Sequence, residues 1–354
     1  MSNVGDDILH NILARLPGKP LLRFRCVSKH WNGLISDPYF MKSRSRRMIL
    51  LPFPRPLVAL DDNVPVEDEA HSMVRIHFPF EYTRMYIVGT LNGIVLLALY
   101  DTFMACQLIL YNPLTCVSKV LVTDPTCKDP YVFGFGYGAS TDDLKIVRFE
   151  AFRNENNVPM YKCDAFDLKT NSWSTPPQYY IQYFHFGGAA GVFINGFLYW
   201  SFYYPYFGIL ALNVKDMVSS TIYVPGTRAG LLLGSLDGYL CMVNNVTGSF
   251  TFDVWLMKEE GVWLKARSFR FGSEGNVFYP VCILGDGKIL IKSSTQLVIC
   301  DASKDSYKVL NGLATLGNFS RIDRVLHREY YPLMYSRSIE YVESLVSPSD
   351  MCSI

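Results

Sequence analysis

The chain has 354 residues, 49% hydrophobic and 18% charged, with 33 Lys/Arg against 32 Asp/Glu, which excludes a disordered chain and suffices for two domains or for a small module and one large unit. The near-zero net charge conceals a split: residues 1–50 hold nine Lys/Arg and three Asp, the remainder 24 basic and 29 acidic residues, as two modules in different surroundings would. Aromatic residues, 14% with 23 Tyr and 23 Phe, favour strands, where flat side chains pack on a pleated surface.

The pattern is helical over residues 6–45. Asp6 is placed to cap a first helix carrying Ile8, Ile12 and Leu13, and Pro17-Gly18 ends it. Pro20 suits the first turn of a second helix with Leu21, Leu22, Phe24 and Val27; Ser28 caps a third that presents Trp31, Leu34 and Ile35; Asp37-Pro38 opens a last turn with Tyr39, Phe40 and Met41. A bundle this small cannot bury all these side chains by itself and needs a partner groove. Arg23, Arg25 and Lys29 would rim such a contact and favour an acidic partner. Lys42, Arg44, Arg46 and Arg47 read as a solvated basic linker face, since no recognition helix accompanies them and no nucleic-acid partner is expected.

From Met48 onward the pattern is short apolar strands between Gly, Asn, Asp and Pro. Residues 60–72 and 153–159 read as acidic and polar surface loops. Asn92-Gly93, Asn195-Gly196, Asp237-Gly238 and Asp286-Gly287 are hairpin-turn signatures, each followed by an apolar strand: IVLLALY, FLYWSF, YLCMV and KILIKS. A second polar turn and strand follow each, marked by Asn112, Asn213, Asp253 and Asp301; Asp167 marks a further copy whose first half is FGFGYGASTDDLKIVRFEAF. Markers recurring every 40 to 55 residues fit four-stranded propeller blades, each covered on both faces by its neighbours. The expected architecture is a small helical module, residues 1–47, then a mainly β, propeller-like domain of about six to eight blades over residues 48–346, closed by strands from both of its ends, and a tail at 347–354.

No catalytic constellation stands out. The six histidines lack metal-ligand spacing, no GxSxG elbow occurs, and the acid pairs Asp142-Asp143 and Glu259-Glu260 sit in polar turns. FGFGYG leads into strands rather than a helix, so its glycines read as sites of close strand packing, not a phosphate loop. The nine cysteines are scattered without a CxxC pair, as reduced thiols of a cytoplasmic or nuclear protein would be. MSNVGDDIL has acids where a secretory signal has cations, and the apolar run at 94–100 is too short to span a bilayer. No metal, cofactor or membrane partner is expected. Two aromatic stretches, YYIQYFHF at 179–186 and FYYPYF at 202–207, offer Tyr179, Tyr180, Tyr183, Tyr203, Tyr204 and Tyr206 as partner anchors; the alternative is blade packing. Arg321, Arg324 and Arg328 form a basic row that reads as surface charge or as a receiver of a phosphate or an acidic peptide.

LLRFRCVSKHWNGLISDPYF within residues 6–40 resembles the F-box, in the form common among plant F-box proteins. GTLNGIVLL, LYNPLT, FGFGYGASTDDLKIV, FDLKTNSWS, GVFINGFLYW, FDVWLMKEEGVW and YVESLVSP resemble the F-box-associated domain of the same plant family, which includes immune regulators and S-locus F-box proteins. The resemblance implies a non-catalytic adaptor of a Skp1, cullin and F-box ubiquitin ligase: the helical module docks on Skp1, and through it on cullin, while the β domain selects an unidentified protein to be ubiquitinated. By position, Leu16 and Pro17 fall on the leucine-proline turn that meets Skp1, with Leu21, Leu22, Val27 and Trp31 on its apolar contacts; Ile8 and Ile12 join them from the first helix. Asn3-Val4 departs from the leucine-proline pair found there in many members. Rival readings are a propeller-based ligand-binding protein or enzyme that kept an F-box, and an F-box protein that binds Skp1 without delivering a target for degradation.

Overall fold

The computed structural model describes residues 4–44, 46–52, 57–61, 73–124, 131–176, 180–182, 184–203, 207–225, 231–245, 250–271, 279–292, 297–301, 303–304, 306–310 and 337–352. Four short helices come first: α1 (Val4–Arg15), α2 (Gly18–Phe24), α3 (Lys29–Ser36) and α4 (Pro38–Arg44). α1 starts before Asp6, so Asp6 is not its cap; its carboxylate lies in the first turn, where negative charge suits the helix dipole, and pairs with the His30 ring at 3.0 Å. The cap on α3 forms as the sequence predicts, and Asp37, expected only to open the last turn, caps α4 as well. Ser28 Oγ accepts the Trp31 N–H at 3.1 Å, and Asp37 Oδ1 accepts the Tyr39 N–H at 2.7 Å.

The strands form six four-stranded antiparallel sheets, one of them with an extra short strand. β1 (Arg47–Leu51), β2 (Leu57–Leu60) and β3 (Met73–Ile76) begin the first blade; β4 (Arg84–Leu91), β5 (Ile94–Tyr100), β6 (Cys106–Asn112) and β7 (Val117–Asp124) make the second. The third holds β8 (Val132–Tyr137), β9 (Leu144–Arg153), β10 (Pro159–Asp167), β11 (Ser172–Ser174) and β12 (Tyr180–Gln182); the fourth β13 (Val192–Ile194), β14 (Phe197–Phe202), β15 (Gly208–Asn213) and β16 (Val218–Tyr223). The fifth is β17 (Leu232–Leu236), β18 (Tyr239–Asn245), β19 (Thr251–Glu259) and β20 (Val262–Arg270), and the sixth β21 (Tyr279–Ile283), β22 (Ile289–Lys292), β23 (Leu297–Asp301) and β24 (Ser306–Leu310). β25 (Ile339–Val342) then returns to the first blade and pairs with β1, Met48 opposite Tyr341. The propeller therefore has six blades and closes with three strands from one end of the domain and one from the other, as the sequence leads one to expect.

Successive blades meet through buried aliphatic and aromatic faces, for example Ile49, Val58, Leu290 and Ile299 between the first and sixth. Burial on both faces of β5, all seven residues of IVLLALY, is what a blade sandwiched by neighbours requires. The glycines of FGFGYG are close-packing sites: a Cβ on Gly134 would lie 2.6 Å from the Trp200 ring, and one on Gly136 2.3 Å from Phe193. The Trp200 indole donates to the Phe133 carbonyl at 2.8 Å, fixing the fourth blade against the third.

Three of the four hairpin signatures are two-residue turns with both residues at positive φ: Asn92-Gly93, Asn195-Gly196 and Asp237-Gly238. At Asp286-Gly287 only Gly287 is positive, because the loop is longer: the Leu284 N–H donates to Lys288 O and the Gly287 N–H to Leu284 O. Four of the five repeat markers cap the second turn of their blade through side-chain oxygens, as Asn112 does for the amides of Leu114 and Thr115 at 2.9 and 3.1 Å. Asp253 does not. It lies inside β19 and binds Ser268 Oγ at 2.7 Å and Lys265 Nζ at 2.9 Å.

Candidate functional site

In a four-stranded antiparallel blade, the turns after the first and third strands lie at one end, and the remaining loops with the links between blades at the other. The helical module sits at the first end. Leu114, in the β6–β7 turn, enters the module's interior beside Leu13, Leu21, Ile35, Phe40 and Met41, with Leu345 packed alongside. Gly18 lies so close to the propeller that a Cβ there would stand 2.3 Å from Leu114 Cδ1.

Charge completes this seam. Arg44, with a side chain 1% exposed, lies 2.8 Å from the Glu343 carboxylate and donates to the Leu16 carbonyl at 2.7 Å. Arg46 binds the Leu16 carbonyl at 3.4 Å and the Asp61 carboxylate, and Lys19 Nζ reaches the Arg75 carbonyl at 2.8 Å. Burial pushes the Glu343 carboxyl above the usual carboxylate range, against the opposing pull of Arg44 and Arg46. The basic stretch is thus not the solvated linker face expected from sequence. Two of its cations are spent on joining the modules, a role readable only once Glu343, some 300 residues away, is brought beside them.

The chain's last described segment is held in the same place. Asn112, fully buried, donates to Ser344 O at 3.0 Å and Val346 O at 2.8 Å, while Ser344 Oγ donates to Asn92 O at 2.6 Å. A 3-10 turn, Asp350–Cys352, follows, with Met351 buried between the second and third blades.

On the module's free side, Ile8, Ile12 and Val27 are 57, 55 and 58% exposed and Tyr39 74%. Ile8 and Ile12 stand one turn apart on α1 and form a single apolar stripe. Pro17 is exposed; Leu16, Leu22 and Trp31 are half-buried, the Trp31 ring standing edge-on to Phe24 at 5.5 Å. Leu21 is fully buried in the module's interior and offers a partner no surface. Of the eight positions singled out from sequence, seven therefore have surface to present and one holds the module together.

At the far end of the propeller the aromatic stretches divide. Phe184, Phe186 and Phe202 are buried against Phe149 and Trp200, which is the blade-packing alternative. Tyr180 is 49% exposed on β12 and leans on Phe152 at 5.0 Å. Tyr203 is half-buried, edge-on to His185 at 5.3 Å. Tyr179, Tyr183, Tyr204 and Tyr206 lie outside the described residues, as do Arg321, Arg324 and Arg328. Sequence reading missed the most exposed aromatic among the described residues at this end. Phe103, in the β5–β6 loop, is 87% exposed. Its loop is fixed by Asp101, whose Oδ1 accepts the N–H groups of Phe103 and Ala105 at 2.8 and 2.9 Å. The signal was an aspartate two residues before an aromatic in a short inter-strand loop. Next to it, Thr83 Oγ1 donates to Asp101 O at 2.7 Å, joining this loop to residues 77–82, where Phe78, Phe80 and Tyr82 form a ring cluster over Tyr111.

Nothing among the described residues assembles three or more metal-ligating side chains, and no helix there is long and apolar enough to cross a membrane. Cys163, Cys241, Cys282 and Cys300 are buried and their thiols pushed up to about 12 by desolvation, so they are packing groups rather than nucleophiles.

Comparison with known proteins accords with this layout. Residues 1–43 match the F-box domain and residues 58–348 the F-box associated beta propeller domain. F-box protein CPR1 of Arabidopsis thaliana is 31% identical over 310 residues, covering 75% of this chain and 72% of that protein. An F-box/kelch-repeat protein of the same plant is 24% identical over 357 residues, covering 88% and 92%. A chain of the nidogen/laminin complex superposes with a TM-score of 0.51 at 8% identity, over 74% of this chain and 92% of its own, a likeness of fold alone.

Proposed function

Because the chain belongs to the F-box proteins that carry an F-box associated beta propeller domain, we propose that it is the target-recognition adaptor of a Skp1, cullin and F-box ubiquitin ligase. The observation that carries the reading is the two-sidedness of the helical module. One side is locked to the propeller by the Arg44–Glu343 pair and Leu114, while Ile8, Ile12, Val27 and Tyr39 remain exposed on a module too small to need them inside. Burying such side chains in a partner groove contributes about 1.5 to 3 kcal/mol each. Skp1 takes that side and brings cullin with it. The loops at the far end of the propeller, Phe103 and Tyr180 among them, are left to hold the protein to be ubiquitinated.

The chain forms no bond in this scheme. It raises the concentration of a captured protein beside a ubiquitin-charged conjugating enzyme carried elsewhere in the assembly. A rigid seam suits that task, since a hinge between the two modules would spread the target over a larger volume. A cytoplasmic or nuclear setting is part of the same proposal, supported by nine scattered cysteines without a CxxC pair.

The test is titration of the purified full chain with a purified Skp1, parent against an Ile12→Asp, Val27→Asp double variant, with circular dichroism and urea midpoints checking the fold. Both positions are exposed, so folding should survive while affinity falls by two orders of magnitude or about 3 kcal/mol. A folded parent that shows no Skp1 binding would sink the proposal; unchanged binding by the variant would move the docking side elsewhere on the module.

A further inference from the structure

The outer edge of the fifth blade differs from the other five. β20 runs nine residues, VWLKARSFR, with Lys265, Arg267 and Arg270 and no acid. The corresponding outer strands of the fourth and sixth blades are VSSTIY, without charge, and SYKVL, with one cation. Of the nine side chains only Phe269 is buried; Val262 and Leu264 are each 49% exposed. Among the described residues β20 pairs with β19 on one side only. An antiparallel strand directs alternate N–H and C=O groups to each side, so a row of them faces outward here.

Cross-strand register fixes where the charges lie. Leu264 and Arg267 stand opposite Leu256 and Val254 on one face of the sheet; Lys265 and Arg270 stand opposite Trp255 and Thr251 on the other. Lys265 is engaged by Asp253 at 2.9 Å. Arg267 and Arg270 have no ion pair among the described residues. The edge thus offers unpaired guanidinium groups on both faces, beside exposed aliphatic side chains. Two bulges interrupt the β19–β20 ladder, at Val254/Trp255 and Met257/Glu259. Bulges and cations keep an edge from pairing with another copy of itself. The same cations that repel a second β20 attract a strand of opposite charge.

We propose that β20 is a docking edge for an extended acidic segment of a partner protein, which adds to the fifth blade as a further strand. Main-chain hydrogen bonds supply the affinity, carboxylates beside Arg267 and Arg270 the selection, and small apolar side chains over Val262 and Leu264 the register. The inference goes beyond the ligase reading and stands whether or not Skp1 docks on the helical module.

The probe is a labelled nine-residue peptide alternating glutamate with valine, matched to the length of β20, with its glutamine analogue as control. Fluorescence anisotropy with the full chain should show saturable binding of the acidic peptide that weakens with salt, and none of the glutamine analogue. Arg267→Glu with Arg270→Glu should reduce affinity by about tenfold or more. Arg267→Gln with Arg270→Gln should give an intermediate loss, which guards against misfolding of the first variant. Hydrogen exchange should slow at the outward amides of β20 and not at those of β16. Absence of binding, equal binding of the glutamine analogue, indifference to both pairs of substitutions, or protection confined to another element would each overturn the proposal.

Discussion

The Arg44 guanidinium lies 2.8 Å from the Glu343 carboxylate with both side chains almost fully buried, one at the end of α4 and the other just past β25. The two ends of the described chain are thereby joined across one seam. Removing one partner strands the other charge away from water, which costs about 3 to 5 kcal/mol. Glu343→Ala is expected to lower the unfolding free energy obtained from urea titration by that amount. Replacing both, Arg44→Met with Glu343→Leu, should recover most of the loss, because an apolar pair of similar volume carries no desolvation penalty. A double variant as unstable as the single one would show that the hydrogen bond from Arg44 to Leu16 O, not the ion pair, holds the seam.

Asn112 does two tasks with one side chain: its carbonyl oxygen caps the β6–β7 turn and its amide holds Ser344 and Val346. Asn112→Ala leaves buried main-chain groups unpaired at both, at a cost of about 2 to 4 kcal/mol. The loss should be local before it is global. Hydrogen exchange in residues 343–352 is expected to quicken more than in β22 or β23, and uniform quickening would argue against the clamp.

These two residues mark how far the sequence could be read. Asn112 was visible as a turn residue because the signal is local: an Asn before Pro between two apolar strands. Its second role depends on a segment 232 residues away, which no local pattern encodes. Ser28 and the Asn-Gly and Asp-Gly turns were legible for the same local reason, and the blade architecture followed from their spacing. Asp253 misled because it shares the residue type and rough spacing of the turn markers, yet the turn of its blade falls at Glu260-Gly261, where Gly261 supplies the positive φ. Arg44 misled in the other direction: a cation in a basic run looks solvated until its acid is known. Leu21 and Ile12 are equal as apolar helical residues, and only packing tells that one is buried and the other exposed.

Asp164 carries a pH dependence. Burial by itself would raise its carboxyl, but hydrogen bonds from Arg148, Lys162 and Thr175 outweigh it and hold the group below its ordinary value of 3.8. Arg148 is meanwhile held between the Tyr131 and Trp173 rings, 4.6 and 4.2 Å from their centroids. A carboxyl depressed on folding contributes stability that is present above the unfolded value and lost as pH falls through the folded one. Asp164→Asn is therefore expected to be less stable than the parent at pH 7, by about 2 kcal/mol, with the gap closing as pH falls below 3.8. Urea midpoints of both proteins across that range decide it; a gap constant with pH would mean that shape, not charge, is what the asparagine fails to supply.

Phe103 is the sharpest expectation at the far end of the propeller. An aromatic 87% exposed contributes little to folding, so Phe103→Ala should leave the unfolding free energy within about 0.5 kcal/mol of the parent. Its backbone is fixed by Asp101 before any partner arrives, so the ordering cost of binding is small and the ring is a natural anchor. A photo-crosslinking phenylalanine analogue at position 103 should capture a protein that is ubiquitinated in a manner dependent on the helical module. The same analogue at Tyr239, which is 44% exposed beside the turn at Asp237-Gly238 on the module's end of the propeller, should not. Capture of that protein equally from both positions, or only from Tyr239, would place the target on the wrong end of the propeller and leave Phe103 without a role in holding it.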